Sequence, residues 1–205
     1  MQASDSLSPT EVKKKTYWAL FLVIAACAAP VVLSYLTYYI IKPQARNNYG
    51  DLIDPRAYPL PDLASVDLAG QPASLAQLKG KWILLQVDSG SCEAACQQKL
   101  YYMRQLRLTQ GKEMDRIERV WLVTDDAPLD IGVMKQYDGT HFIRVDPQKL
   151  AAWLPVLEGA QATKASDHLY MIDPLGNLMM RFPKDPDANK IKKDLTRLLR
   201  ASGIG

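Results

Sequence analysis

WILLQVDSGSCEAACQQKLYYMRQLRL, residues 82–108, holds the pattern from which the rest of the chain can be read. Trp82 to Val87 is a nearly unbroken apolar run of strand length, as a central strand covered on both faces requires. Asp88, Ser89, Gly90 and Ser91 break that run. Apolar positions then return at Cys92, Cys96, Leu100, Met103 and Leu106, in steps of four, four, three and three. Such steps draw one stripe down one face of a helix. Ser91 is a suitable N-cap, and Gly111 can end the helix or the loop after it. Cys92 and Cys96 therefore lie one above the other on that face, where their sulfurs can approach.

Working outward, the same alternation continues. Val120 to Thr124 reads as a second buried strand, Ile131 to Tyr137 as a short helix, Phe142 to Val145 as a third strand, and Pro147 to Leu157 as another helical piece. Leu169–Ile172 and Leu178–Phe182 flank Asp173, Pro174, Leu175, Gly176 and Asn177, whose Pro and Gly favour a reversal between antiparallel strands. Asp187 to Ala201 closes the chain with Ile191, Leu195, Leu198 and Leu199 on one helical face. Upstream, Leu68–Gln71 predicts a hairpin turn and Ser74–Leu78 a single helical turn stopped by Gly80. Strands alternating with helices, then a hairpin and a last helix, describe an α/β fold with a mixed sheet flanked by helices. That order is the one a thioredoxin-like domain uses.

Composition sets the outer limits. The chain has 205 residues, enough for one globular unit plus an appendage. With 25 Lys and Arg against 22 Asp and Glu, the net charge is only +3, and the only tight basic cluster is Lys13, Lys14 and Lys15 beside the apolar stretch, so nucleic acid is not expected as a partner. Three cysteines are too few for a disulfide-stapled scaffold.

Thr16 to Ile41 carries no charge and exceeds the roughly 20 residues that cross a bilayer core. Tyr17, Trp18, Tyr38 and Tyr39 sit near its ends, where aromatic rings favour the headgroup region. Pro30 is expected to bend this helix without stopping it. Ile24, Ala25, Ala26 and Cys27 resemble a lipoprotein cleavage box, but the apolar run continues well past Cys27, which favours an uncleaved anchor. Lys13, Lys14 and Lys15 precede the span, whereas Lys42, Arg46 and Arg56 after it are diluted by Asp51 and Asp54. The positive-inside rule then puts residues 1–15 in the cytoplasm, residues 16–41 in a bacterial inner membrane and the folded part in the periplasm. Residues 42–59 mix Pro, Gly, Asn and charges without periodicity and read as a linker; residues 60–205 form the domain.

Two outcomes suit the cysteine pair. Oxidised, it is a disulfide open to exchange; reduced, it is a soft two-sulfur clamp that prefers Cu(I) or Zn(II) to hard ions. Cys92, placed in the first helical turn and the more exposed of the two, is the expected nucleophile, although Glu93 opposes a very acidic thiol. His168, just before the strand LYMI, is the candidate third ligand, with Asp167 to orient it. His141 reads as a surface residue. Simple packing of the two cysteines, or a static bridge on a scaffold, is the bland alternative.

At these residues the sequence resembles the thioredoxin-fold assembly factors of the Sco/SenC family. The resemblance covers about residues 60–200 and rests on Leu75, Leu78, Lys79, Gly80, Lys81 and Trp82, on Cys92 with Cys96, and on Asp167-His168 ahead of Asp173-Pro174-x-Gly176. The prolines that usually follow each cysteine of that family are replaced here by Glu93 and Gln97, and the stretch between the histidine and the turn is shorter. The resemblance implies an assembly factor for a copper-containing cytochrome c oxidase, holding Cu(I) between Cys92, Cys96 and His168 or reducing target cysteines. Its implied partner is a respiratory oxidase subunit or another periplasmic thiol protein. A general thiol-disulfide oxidoreductase, with Cys92 attacking and Cys96 resolving, uses the same residues.

Overall fold

An uncharged apolar stretch satisfies its own backbone in lipid only as a helix, and the N-terminal segment forms one. Helix α1 spans Pro9–Leu36 and is continued by a π turn at Thr37–Ile41. It starts before Thr16, with proline at the first helical position, where the missing N–H leaves no bond unmade. Pro30 lies inside it without ending it. Tyr17–Ile40, with a mean hydropathy of 2.4, is long and apolar enough to cross a membrane. The computed structural model describes residues 9–41, 48–157 and 162–204. The chain divides into two units, Met1–Asn47 and Asn48–Gly205. Residues 1–8 of the expected N-terminal segment and 42–47 of the expected linker lie outside the described residues.

The second unit is built on β3 (Trp82–Asp88), whose residues from Trp82 to Val87 are all buried. It pairs in parallel with β4 (Ile117–Val123), Trp82 facing Ile117, and antiparallel with β6 (Leu169–Ile172), Ile83 facing Ile172. β4 pairs in parallel with β5 (Thr140–Arg144), and β6 antiparallel with β7 (Leu178–Arg181). Two short edge strands complete the seven-stranded sheet: β1 (Asp51–Leu52) on β7, and β2 (Val66–Asp67) on β5. Edges this short offer little template for unwanted pairing. β1 falls within the stretch read as a linker; its two residues carry no periodicity, and only the open edge of β7 makes them a strand.

Side chains alternate across the sheet and so fill two apolar layers. Trp82 and Leu84 share one layer with Leu100, Met103 and Leu106 of α2 (Ala94–Leu108) and Ile191, Leu195 and Leu199 of α5 (Ala188–Ala201). Ile83, Leu85 and Val87 share the other with Leu75 and with Leu150 and Trp153 of α4 (Pro147–Trp153). The short helix α3 (Ile131–Gln136) packs at the margin of the first layer through Val133. These elements follow the expected order, and the sheet is mixed with helices on both sides, as the alternation predicts. The helix expected over Pro147–Leu157 stops at Trp153.

The Asp173–Asn177 reversal closes as expected: Asp173 N–H donates to the Asn177 carbonyl at 2.9 Å, and Gly176 has φ 93°. A side chain at Gly176 would also meet Lys79 Cε at 2.7 Å. Gly80 N–H donates to the Pro174 carbonyl, so the loop entering β3 is docked on this turn. At the other end, Asp194 of α5 is 2% exposed and accepts the amides of Tyr49 and Gly50 at 2.8 and 2.9 Å. Replacing Asp194 with Ala leaves these amides without an acceptor, and the expected loss is about 1–3 kcal/mol of unfolding free energy. Denaturant titration of the full chain in detergent measures it; an unchanged midpoint would rule out the clasp.

Candidate active site

β3 ends at Asp88, and the turn that follows is shaped by contact with the β4–α3 loop. Gly90 N–H donates to Asp125 Oδ1 at 2.8 Å, and a Cβ at Gly90 would lie 2.5 Å from the Ala127 carbonyl oxygen. Only glycine fits there. Arg144 of β5 holds that loop by donating to the carbonyls of Asp125 and Ala127. The hydroxyls of Ser89 and Ser91 lie 2.6 Å apart. Cys92 N–H then turns back to the Ser89 carbonyl, with Cys92 at φ 43°. A left-handed backbone at a residue with a Cβ costs about 1–2 kcal/mol and cannot begin a right-handed helix.

This conformation corrects two expectations. Cys92 is not in the first turn of the helix: α2 starts at Ala94, and Glu93 rather than Ser91 holds the N-cap position, with no side-chain capping bond. Nor is Cys92 the more exposed sulfur-bearing residue, since Cys92 and Cys96 are each 3% exposed. The predicted meeting of the sulfurs does occur. Cys92 and Cys96 are joined by a disulfide with a Cα–Cα separation of 5.1 Å. Gln97 donates its side-chain amide to the Cys92 carbonyl at 3.1 Å, bracing the turn.

Three polar groups at this end of β3 and α2 escape a reading by hydrophobic pattern. Gln86 of β3 is fully buried, and its Nε2 donates to Cys96 Sγ at 3.3 Å. Its Oε1 has no partner. Lys99, buried on α2, places Nζ 2.6 Å from Asp88 Oδ2 and also donates to the carbonyls of Val87 and Ser166. Burial outweighs Lys99 and pushes the Asp88 carboxyl up from 3.8 to about 6. The available signals were a single amide in the run WILLQV and a lysine one turn after Cys96, within reach of the apolar stripe.

His168 lies elsewhere in its contacts. It is 1% exposed; its Nδ1 is 2.7 Å from the Phe182 carbonyl and its Nε2 2.7 Å from Thr163 Oγ1. A carbonyl only accepts, so Nδ1 carries the proton and Nε2 accepts from the hydroxyl. Burial lowers the imidazole pKa and favours that neutral ring. Both nitrogens are thus engaged. The segment before β6 does reach the cysteine helix, through the Ser166 carbonyl on Lys99, but the imidazole is committed to Phe182 and Thr163. Among the described residues no three His, Cys, Asp or Glu side chains gather to hold a metal. In this disulfide form the Cys92, Cys96 and His168 set expected for Cu(I) is not gathered, because the sulfurs are bonded to each other and both ring nitrogens of His168 are engaged elsewhere. Asp167, expected to orient that ring, instead accepts the Lys164 amide and pairs with Lys184 at 3.4 Å. His141 is on the surface, 3.2 Å from Glu118.

Two measurements test this description. Replacing His168 with Ala removes two buried hydrogen bonds and should cost about 1–3 kcal/mol of stability while leaving the Cu(I) affinity of the reduced pair unchanged. A tenfold loss of affinity at an unchanged unfolding midpoint would put the ring on the metal. Because the folded Asp88 carboxyl titrates near 6 rather than 3.8, its contribution to stability is present below pH 3.8 and lost as pH rises through about 6. That loss is roughly 3 kcal/mol. Asp88→Asn should therefore gain stability relative to the parent between pH 4 and 7, and parallel pH profiles for the two proteins would contradict the assignment.

Residues 82–202 match a family model described as a transmembrane-like, thioredoxin-like, C-terminal domain. No curated protein sequence matches the chain. Among solved structures, apo Sco1 from Thermus thermophilus is similar at 17% identity and a TM-score of 0.53, covering 77% of this chain and 98% of that one. A SCO1/SenC family lipoprotein from Bacillus anthracis str. Ames is similar at 17% identity and a TM-score of 0.51, covering 72% and 99%. A thiol:disulfide interchange protein from Bacteroides sp. is similar at 14% identity and a TM-score of 0.50, covering 71% and 91%. These likenesses share the fold described above. With more than half of its length matched by the family model, the chain belongs to the transmembrane-like, thioredoxin-like C-terminal domain family.

Proposed function

We propose that the protein is a membrane-anchored thiol-disulfide exchange factor whose reactive pair is Cys92–Cys96. The observation that carries this reading is the disulfide just after the central strand, backed by Gln86 on one sulfur, with the Asp88–Lys99 ion pair joining the end of that strand to the cysteine helix. A bridge that merely stapled the fold would need none of these polar groups, each of which is costly to bury. Exchange proceeds when a thiolate of the target attacks one sulfur of the pair and the other leaves as a thiolate; a second target thiol then releases the reduced pair. The reverse sequence reduces a target disulfide.

The lysines before the span support a cytoplasmic N-terminus and a periplasmic domain in a bacterial inner membrane, where disulfide chemistry persists. The resemblance carried by Leu75–Trp82, the cysteine pair and Asp167–His168 supports a narrower target: the cysteines of the copper centre of a respiratory oxidase, which must be reduced before they take metal. The role proposed is to reduce those cysteines so that they can take copper.

Cys96→Ser should trap a disulfide-linked adduct with the target in intact membranes, visible on non-reducing gels and lost with dithiothreitol. The double variant lacking Cys92 as well should trap nothing. Absence of any adduct from the single variant would refute the exchange reading, and adducts that leave oxidase copper content unchanged on gene deletion would refute the narrower target.

A further inference from the structure

We infer that Gln86 is a positioning residue that makes Cys96 the leaving sulfur and so directs exchange to Cys92; this rests on the exchange chemistry proposed above. Cys92 and Cys96 are equally buried as residues, 3% exposed each, so burial alone does not separate them. They differ in their partners. Gln86 Nε2–H points at Cys96 Sγ from 3.3 Å, in a buried layer shared with Leu84, Leu100 and Leu169. A donor at that distance bonds a thiolate more strongly than a neutral disulfide sulfur. Cys96 is also the third residue of α2, among the amides that lack partners within the helix, and Glu93 makes no capping bond that would neutralise them.

The unpartnered Oε1 completes the asymmetry. In the disulfide form it is a buried acceptor with nothing to accept. A reduced Cys96 carries an S–H when protonated, and rotation of the amide lets Oε1 take it. Gln86 thus has a partner for either protonation state of the free sulfur, bonds the thiolate better than it bonds the bridge, and favours the reduced pair through that N–H.

In the step that follows, an incoming thiolate forms a bond to Cys92 Sγ while the Cys92–Cys96 bond breaks. The electron pair leaves on Cys96 Sγ, which receives the Gln86 N–H. The incoming sulfur is oxidised and Cys96 reduced, with no other reagent needed. The reverse step returns Cys96 thiolate to the mixed disulfide on Cys92 and expels the target thiol.

The experiment uses the full chain in detergent with glutathione as the probe. Acid-quenched mixed disulfide from the unmodified protein, mapped by mass spectrometry, should carry glutathione on Cys92; glutathione on Cys96 would overturn the inference without any substitution. Gln86→Leu should shift the equilibrium with glutathione about tenfold toward the disulfide, or about 30 mV to more negative potential. It should also raise the pH midpoint for alkylation of Cys96 in the Cys92→Ser background. Gln86→Met serves as a second apolar replacement. Exchange that proceeds with an unchanged equilibrium and an unchanged pH midpoint overturns the role of Gln86 alone. No exchange in any of these proteins overturns the underlying reading together with it.

Discussion

The pairing of β3 on both of its edges, with cover on both of its faces, is the constraint from which the site follows. A strand so enclosed has no solvent side, so each of its side chains is committed to one of two interior layers. Leu85 and Val87 fall on the face of α4, while Leu84 and Gln86 fall beneath α2. The chain leaves this interior only at Asp88, and there the turn carrying Cys92 is pressed against the Ala127 carbonyl. What the cysteines can do is therefore set by an interior address rather than by a surface cleft.

That interior is unusually polar for its depth. Gln86 and Lys99 stand within a layer otherwise made of Leu84, Leu100, Met103, Trp121 and Leu169, with Asp88 half-buried at its margin. Lys99 is satisfied by two carbonyls and one carboxylate. Asp88 retains part of its burial cost, which appears as its raised pKa. Gln86 is half satisfied, its donor used and its acceptor idle. Groups in this condition are tolerated where chemistry changes the number of donors and acceptors nearby, and a disulfide becoming two thiols does so.

The parts of the fold legible in the sequence were those written in local pattern. The apolar run at Trp82, the stripe through Leu100 and Leu106, and the Pro and Gly of the Asp173–Asn177 turn each specify an element without help from elsewhere. The site was legible in its two sulfurs, because spacing and context both mark them. It was not legible in the left-handed backbone of Cys92, which lies in a turn where Gly90 is packed against a loop over 30 residues away. Nor could spacing show where the His168 ring goes, because its direction is fixed by the carbonyl of Phe182 on the neighbouring strand. Gln86 hid for a related reason: strand parity says which face it occupies only once α2 is known to cover that face.

Burial of both sulfur-bearing residues gives the pair a kinetic insulation that a surface bridge lacks. A thiolate attacks along the axis of the bond it breaks, so access is rationed by shape. A thiol at the tip of an extended segment reaches that axis more readily than one held flush in a rigid surface. The same cover thereby slows casual reduction of the bridge.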